Sequence, residues 1–312
     1  MIAVLLTVIC CIMMIVFPQE AIASGRKAIN LWMQDVLPAL LPFFICAGFL
    51  QNIGVMRYLK AGVFPFAMSV LSGYPMGAGI IGNLRRSGEL TVDEAGRMLS
   101  YCSTSGPAFM IGAVGAGMMG SGKLGVVIAA AHYCGALING AVYGGSAIRG
   151  KRSHKNIKRE SLVSSDLSGM ETAAVSCYET DILGALTDAM IMAFRSLGII
   201  LAYIVIFMFI TDILTSAGIF ALIKNPWSEA LVKGMLEMTV GCEAAAGMTA
   251  LSKTAQCVLC SFIVSWGGMS VLGQTMSMLA GTGITISYVV IMKLTHGLFS
   301  AGVAFVLSLF ML

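Results

Sequence analysis

Two glutamates within an apolar stretch are the sharpest chemical signal in the sequence. Glu237 and Glu243 lie in the segment Leu236-Glu-Met-Thr-Val-Gly-Cys-Glu-Ala-Ala-Ala-Gly247. A carboxylate inside a membrane is costly and usually faces an internal path or a partner. When protonated, Glu237 could donate to a ligand; when ionised, it could accept from ribose-like hydroxyls or bind a coupling cation. The alternative is a place at the membrane interface or a permanently held proton.

A lysine and a histidine share one face of the last apolar helix, because Lys293 and His296 are three residues apart. Lys293 either pairs with an intramembrane glutamate such as Glu237 or extends to the interface. His132, in Ala129-Ala-Ala-His-Tyr-Cys134, is either a helix-packing residue or a ligand and proton relay.

Uncharged polar side chains accompany four glycine-rich interruptions of apolar segments. The interruptions are predicted at Ser72–Gly77, Ser103–Pro107, Thr239–Gly241 and Ser265–Gly268. Such side chains suit recognition of a small polar solute, although interhelical hydrogen bonding is their commoner use. The predicted solute-binding residues are Glu237, Gly241, Ser265, Gln274, Ser72, Ser103, Ser105, His296 and Lys293. Weaker candidates of the same kind are Thr104, Ser270, Asn83 and Asn139, and Asp188 and Arg195 form a possible buried pair or an interfacial one.

The composition indicates that membrane-spanning helices must position these residues. Hydrophobic residues make up 58% of the 312, and charged residues make up 11%, where a soluble domain has roughly 25%. The mean hydropathy is +0.90. Uncharged runs cover 2–17, 36–50, 61–84, 98–122, 124–148, 196–211 and 254–292. An all-α polytopic membrane protein with about nine crossing or re-entrant segments is therefore predicted.

One long polar stretch divides the chain into similar halves. The predicted domains are an N-terminal transmembrane anchor at 1–27, a first membrane repeat at 28–148, a polar linker at 149–181 and a second membrane repeat at 182–312. Six Lys and Arg between Arg149 and Arg159 place the linker in the cytoplasm. This run could bind anionic lipid headgroups or nucleic acid, but we interpret it as a topology signal. Membrane lipids are expected partners of the protein, and nucleic acid is not.

Each half repeats an order of features: a long apolar helix, two interrupted segments and a helix carrying one histidine. Interrupted apolar segments at matching places in two halves predict discontinuous transmembrane helices. Their broken backbone must line a cavity or be buried in protein, because lipid cannot satisfy its polar groups.

Several classes of site are not supported by any motif. The nine cysteines lie almost all in apolar runs, and Cys257-Val-Leu-Cys260 has neither a second pair nor a histidine cluster nearby, so we expect no metal. We also expect no cofactor and no enzymatic activity, because nucleotide-binding, zincin and nucleophile-elbow motifs are missing. An intramembrane enzyme would need Glu237, His296 and Lys293 to converge.

The chain resembles the family of sporulation integral membrane protein YlbJ, which carries the nucleoside-recognition Gate region. The segments that carry the resemblance are Leu37-Pro-Ala-Leu-Leu-Pro-Phe-Phe44, Ser72-Gly-Tyr-Pro-Met-Gly-Ala78, Gly88-Glu-Leu-Thr91, Ser105-Gly-Pro-Ala-Phe-Met-Ile-Gly-Ala-Val-Gly115, Leu236-Glu-Met-Thr-Val-Gly241 and Ser261-Phe to Gln274. The similarity runs from about 28 to 312.

The resemblance implies a multi-pass cell-membrane protein needed for spore cortex formation. It also implies a transporter-like fold, because the Gate region is shared with concentrative nucleoside transporters. The expected function is therefore to bind or move a small polar, nucleoside-like solute. The alternative is a non-transporting assembly factor whose helices pack against other sporulation membrane proteins.

Overall fold

The computed structural model describes residues 2–53, 63–149 and 182–312, and within these ranges every regular element is a helix. The predicted all-α class is confirmed. The predicted linker lies outside the described residues from 150 onward.

The first half of the chain contains seven described α-helices and two π-helical segments. The helices are α1 (Ile2–Val16), α2 (Pro18–Leu31), α3 (Leu37–Asn52), α4 (Val63–Ser72), α5 (Met76–Arg86), α6 (Val92–Cys102) and α7 (Gly122–Arg149). The π-helical segments are Trp32–Val36, which joins α2 to α3, and Ala108–Met118, which precedes α7.

The second half contains six described α-helices. They are α8 (Ile182–Ser216), α9 (Pro226–Leu236), α10 (Met238–Ala246), α11 (Lys253–Trp266), α12 (Gly268–Met278) and α13 (Ile286–Met311), with a 3₁₀ turn at Phe220–Leu222.

Four described segments are long and apolar enough to cross a membrane. They are Gly122–Gly144, Ile182–Ser216, Lys253–Met278 and Ile286–Met311. The uncharged run 254–292, which the sequence left open as one pass or two, holds α11 and α12 followed by the start of α13. The chain is therefore a multi-pass membrane protein.

In each half, two interrupted helices precede one long helix with a histidine. The interrupted helices are α4–α5, α6 with the π-helix Ala108–Met118, α9–α10 and α11–α12, and the long helices are α7 and α13. This order of elements parallels the predicted organisation, while the division into repeats at 28–148 and 182–312 stays a prediction.

The two breaks of each half touch one another. A Cβ atom on Gly73 would lie 2.6 Å from the backbone nitrogen of Gly106, and a Cβ atom on Gly268 would lie 3.0 Å from that of Met238. Any larger side chain would separate the breaks. Both glycines also have positive φ, +80° at Gly73 and +77° at Gly268, a backbone conformation that favours glycine.

The first break of the second half lies earlier than predicted. The chain is extended at Glu237, with φ −139° and ψ 122°, whereas Thr239–Gly241 is helical. Gly241 serves another purpose, because its Cα faces the backbone of Gly234 in α9, and a Cβ atom there would lie 2.1 Å from the Gly234 Cα. Glycine here permits a close crossing of α9 and α10.

Candidate functional site

A cavity of about 680 Å³ lies where the four breaks meet. This volume is typical of pockets that hold small molecules. Part of the wall is formed by residues of the breaks and of the helical turns that follow them: Ser72, Gly73, Tyr74, Ser105, Gly106, Glu237, Met238, Thr239, Ser270, Val271 and Gln274. Most of the rest of the wall comes from α8, from the π-helix Ala108–Met118 and from the junction of α2 and α3, and it includes Ile200, Ile204, Phe109 and Gln34.

Four of the predicted solute-binding residues line this cavity: Ser72, Ser105, Glu237 and Gln274. Ser270, a weaker candidate, lines it too. The remaining predicted residues do not line it, and they are Gly241, Ser103, Ser265, Lys293 and His296.

Glu237 is buried in the protein and fixed at the start of α10. Its Oε2 accepts a hydrogen bond of 2.8 Å from the backbone N–H of Val240. Because a helix begins with N–H groups that have no helical partner, this carboxylate caps α10. Glu237 therefore presents a fixed acceptor in the cavity wall.

Two other helix starts beside the cavity have no side-chain cap. They are the start of the π-helix after Pro107 and the start of α12 after Gly267. Ser72 and Ser270 are buried in the wall, and their hydroxyls have no hydrogen-bond partner among the described residues. A buried polar group left unpaired costs about 1–3 kcal/mol. The cavity thus offers polar groups that a bound solute would satisfy.

A histidine pair lies behind the wall and joins two breaks. His132 Nε2 accepts from the backbone N–H of Ser105 at 2.8 Å, and its Nδ1 lies 2.7 Å from the Ser265 hydroxyl. Since Nε2 accepts, Nδ1 carries the proton and donates. The His296 ring lies 4.7 Å from the His132 ring, and its Nε2 donates to the His132 carbonyl at 3.0 Å. The side chains of His132, Ser265 and His296 position the breaks and do not line the cavity.

Lys293 occupies neither of its two predicted positions. Its side chain is fully buried, and its Nζ has no hydrogen-bond partner among the described residues, so it neither pairs with Glu237 nor extends to the interface. The Nζ lies 3.5 Å from the centroid of the Tyr74 ring. Tyr74 lines the cavity, so the lysine lies one aromatic ring behind the wall.

Sequence reasoning did not identify Tyr74 or Thr239 as site residues. The Tyr74 hydroxyl donates to the carbonyls of Val264 and Ser265, at 3.1 and 3.3 Å, and so ties the first break to the end of α11. Both residues lie inside interruptions that the sequence had marked, and that position was the available signal.

The other polar candidates have structural surroundings. Asn139 donates to the carbonyls of Ser100 and Met292, joining α7 to α6 and α13, which is the packing alternative. Glu243 is exposed and lies 3.6 Å from Lys27. Asn83 accepts from Arg86, and Ser103 is buried at the end of α6. Asp188 and Arg195 are both exposed on α8.

The convergence that an intramembrane enzyme requires is not found in the described part of the chain. No hydrogen bond there joins Glu237, Lys293 and His296, and the His296 Nδ1 has no partner. Among the same residues, no group of three or more His, Cys, Asp or Glu could hold a metal ion.

The fold and the cavity define a class: a polytopic helical membrane protein whose discontinuous helices enclose a mostly apolar pocket with a few polar groups in its wall. Over 316 residues, the chain is 29% identical to sporulation integral membrane protein YlbJ of Bacillus subtilis (strain 168), covering 91% of this chain and 76% of that protein. This similarity supports a relationship to the YlbJ family of sporulation integral membrane proteins. No family model matches the chain, so the Gate region stays a prediction, and no solved structure matches it.

Proposed function

We propose that this sporulation membrane protein binds a small polar solute of about nucleoside size in the cavity at the helix breaks and moves it across the membrane. The observation that carries the proposal is the pair of buried hydroxyls of Ser72 and Ser270 in the cavity wall, neither of which has a hydrogen-bond partner among the described residues. As part of the same proposal, this activity serves formation of the spore cortex, which the family resemblance implies.

The cavity wall combines groups that suit such a solute. Ile200, Ile204 and Phe109 offer apolar surface for a ring, while Gln274 and Glu237 offer hydrogen-bonding groups at fixed places. A few placed polar groups in a mostly apolar pocket are typical of small-molecule sites. Discontinuous helices around such a pocket are the arrangement used by many transporters.

The alternative, an assembly factor that acts through helix packing, would need these polar side chains on surfaces that face partners. Ser72, Ser270 and Gln274 are instead buried and line one cavity. This placement favours the solute proposal.

The test is the thermal stability of the detergent-purified protein against a panel of nucleosides, nucleobases, cell-wall precursors and small organic acids. A ligand at about 100 times its dissociation constant should stabilise the protein by about 2.7 kcal/mol. Glu237→Gln, which removes the charge and keeps the shape, should lose the shift, whereas the exposed Glu243→Gln should keep it.

A second variant guards against an effect of Glu237→Gln on the start of α10. Ser270→Ala removes a hydroxyl that has no partner among the described residues, so without ligand the variant should be at least as stable as the parent protein, while its ligand shift should fall. If both Glu237→Gln and Ser270→Ala keep the full ligand-induced thermal shift, the ligand does not bind in this cavity. No shift with any compound would contradict the solute proposal and favour the assembly factor.

A further inference from the structure

A second cavity, of about 470 Å³, lies beside the first. It is more polar in character, because Asn83, Arg86, Arg195, Ser196 and Ser277 contribute to its wall. Arg86 is held in place there, donating to the carbonyls of Met278 and Ala280 at 3.0 Å each. Nothing in the solute-binding proposal above uses this cavity.

The break between α4 and α5 lines both cavities in succession. Gly73 and Tyr74 line the first cavity, and the next two residues, Pro75 and Met76, line the second. The partition at this point is therefore only about one residue thick.

Two other elements, α8 and α12, also line the first cavity with one residue and the second cavity with a nearby residue. Along α8, Ile200 lines the first cavity and Ile199 the second. Along α12, Gln274 lines the first cavity and Ser277, three residues further on, lines the second. Since three separate elements pass from one cavity to the other in this way, the cavities are arranged in series.

Met76 is the side chain in this partition that can move most easily. It packs against the apolar cluster that contains Ile200 and Ile204 and also against the cluster that contains Ile80. An unbranched side chain with three rotatable bonds changes rotamer readily. Tyr74, in contrast, is held by two hydrogen bonds and by Lys293.

We propose that the second cavity is a vestibule for the same small polar solute, and that Met76 closes the passage from the vestibule to the first cavity. This inference rests on the proposed function and deepens it. The guanidinium groups of Arg86 and Arg195 would attract acceptor groups of the solute at the vestibule. The distribution of Lys and Arg in the loops predicts that this side faces the cytoplasm.

The test measures access to the first cavity and needs no solute. Ser72→Cys reports on the first cavity and Ser196→Cys on the vestibule. Membrane vesicles of each orientation are exposed to a membrane-impermeant methanethiosulfonate, and modification of each engineered cysteine is measured by mass spectrometry, so that the nine native cysteines are counted separately.

With reagent on the arginine side, Ser196→Cys should react quickly and Ser72→Cys slowly. Adding Met76→Ala should raise the rate at Ser72→Cys on the order of tenfold and leave the rate at Ser196→Cys unchanged. The matched control is Met192→Ala, which widens the vestibule two helical turns away from Ile199 and should not change the rate at Ser72→Cys. If Met76→Ala does not fold, Met76→Val should give a smaller increase in its place.

Two outcomes would overturn the vestibule. One is a Ser196→Cys side chain that does not react from the arginine side. The other is a Ser72→Cys rate that neither Met76→Ala nor Met76→Val changes in folded protein. A ligand-induced thermal shift combined with either outcome would leave the proposed function standing and refute the vestibule alone.

Discussion

Replacing Lys293 with methionine should stabilise the protein while impairing its function. The Nζ of Lys293 carries donors that have no acceptor among the described residues, and such a buried group costs about 1–3 kcal/mol. Its contact with the Tyr74 ring, at 3.5 Å from the centroid, returns about 0.5–2 kcal/mol. Methionine fills a similar volume without donors, so Lys293→Met should raise the free energy of unfolding by about 1 kcal/mol.

The assay is thermal unfolding in detergent, together with the ligand panel. A gain of 1 kcal/mol should raise the midpoint by on the order of 2 °C. The matched control is Lys233→Met, because Lys233 also lies over an aromatic ring, Phe220, but has an acceptor, Glu229, at 2.6 Å. This control should lose up to about 1 kcal/mol, because Lys233 and Glu229 form a partly buried ion pair within one helix near the surface.

Either of two outcomes would contradict the expected behaviour of Lys293→Met. If Lys293→Met lowers stability by more than about 1 kcal/mol, the lysine contributes packing or bonding that the structure does not show, since its donors would then be satisfied. If stability rises and the ligand shift is kept, Lys293 is dispensable for the site. A rise in stability with loss of the shift is the expected result, because functional groups often persist at a cost in stability.

Two further predictions concern positions outside the cavity. Gly241→Ala should lower stability by about 1–3 kcal/mol, because its Cβ would lie 2.1 Å from the Gly234 Cα. The control is Gly198→Ala, which lies in open space on α8 and should be neutral or stabilising. Equal melting points for the two variants would contradict the close crossing of α9 and α10. Thr91→Ala should cost about 1 kcal/mol at pH 7, because the Thr91 hydroxyl caps α6 and also donates to the Glu94 carboxylate. The backbone N–H and the hydroxyl of Thr91 lower the pKa of Glu94 below the ordinary 4.5, so the part of the deficit that depends on the ionised carboxylate is present above pH 4.5 and is lost as the pH falls through the lowered pKa. The cap on the Glu94 N–H does not titrate, so the deficit should shrink in acid without vanishing, and a deficit of equal size at both pH values would refute the prediction.

The broken helices could be predicted from the sequence because their causes are local. A glycine that adopts positive φ, such as Gly73 or Gly267, interrupts an apolar run, and the interruption can be recognised in the amino-acid sequence. The cap of α6 was equally local: Thr91 followed by Glu94 predicts reciprocal hydrogen bonds, and both are present. Signals carried by neighbours in the chain therefore located the elements that surround the cavity.

The roles of Gly241 and Lys293 could not be predicted, because each depends on another helix. Gly241 looks like part of an interruption, yet the crossing with Gly234 makes it a packing residue within α10. Lys293 had two reasonable partners, carboxylate or interface, and the fold instead places Tyr74 against it. Periodicity gives the face of a helix but does not show which residue of another helix meets that face.

The position of the unpaired groups argues that the cavity has a function. Evolution could satisfy the starts of α12 and of the π-helix with a serine or aspartate cap, as Glu237 satisfies the start of α10. Instead Ser72 and Ser270 are buried beside these ends without a hydrogen-bond partner in the described ranges, at a cost of about 1–3 kcal/mol each. A protein that served only as packing surface would gain stability from replacing them with alanine. Their presence is explained if a solute completes these hydrogen bonds during part of the working cycle, as expected where local rules of stability fail at a functional site.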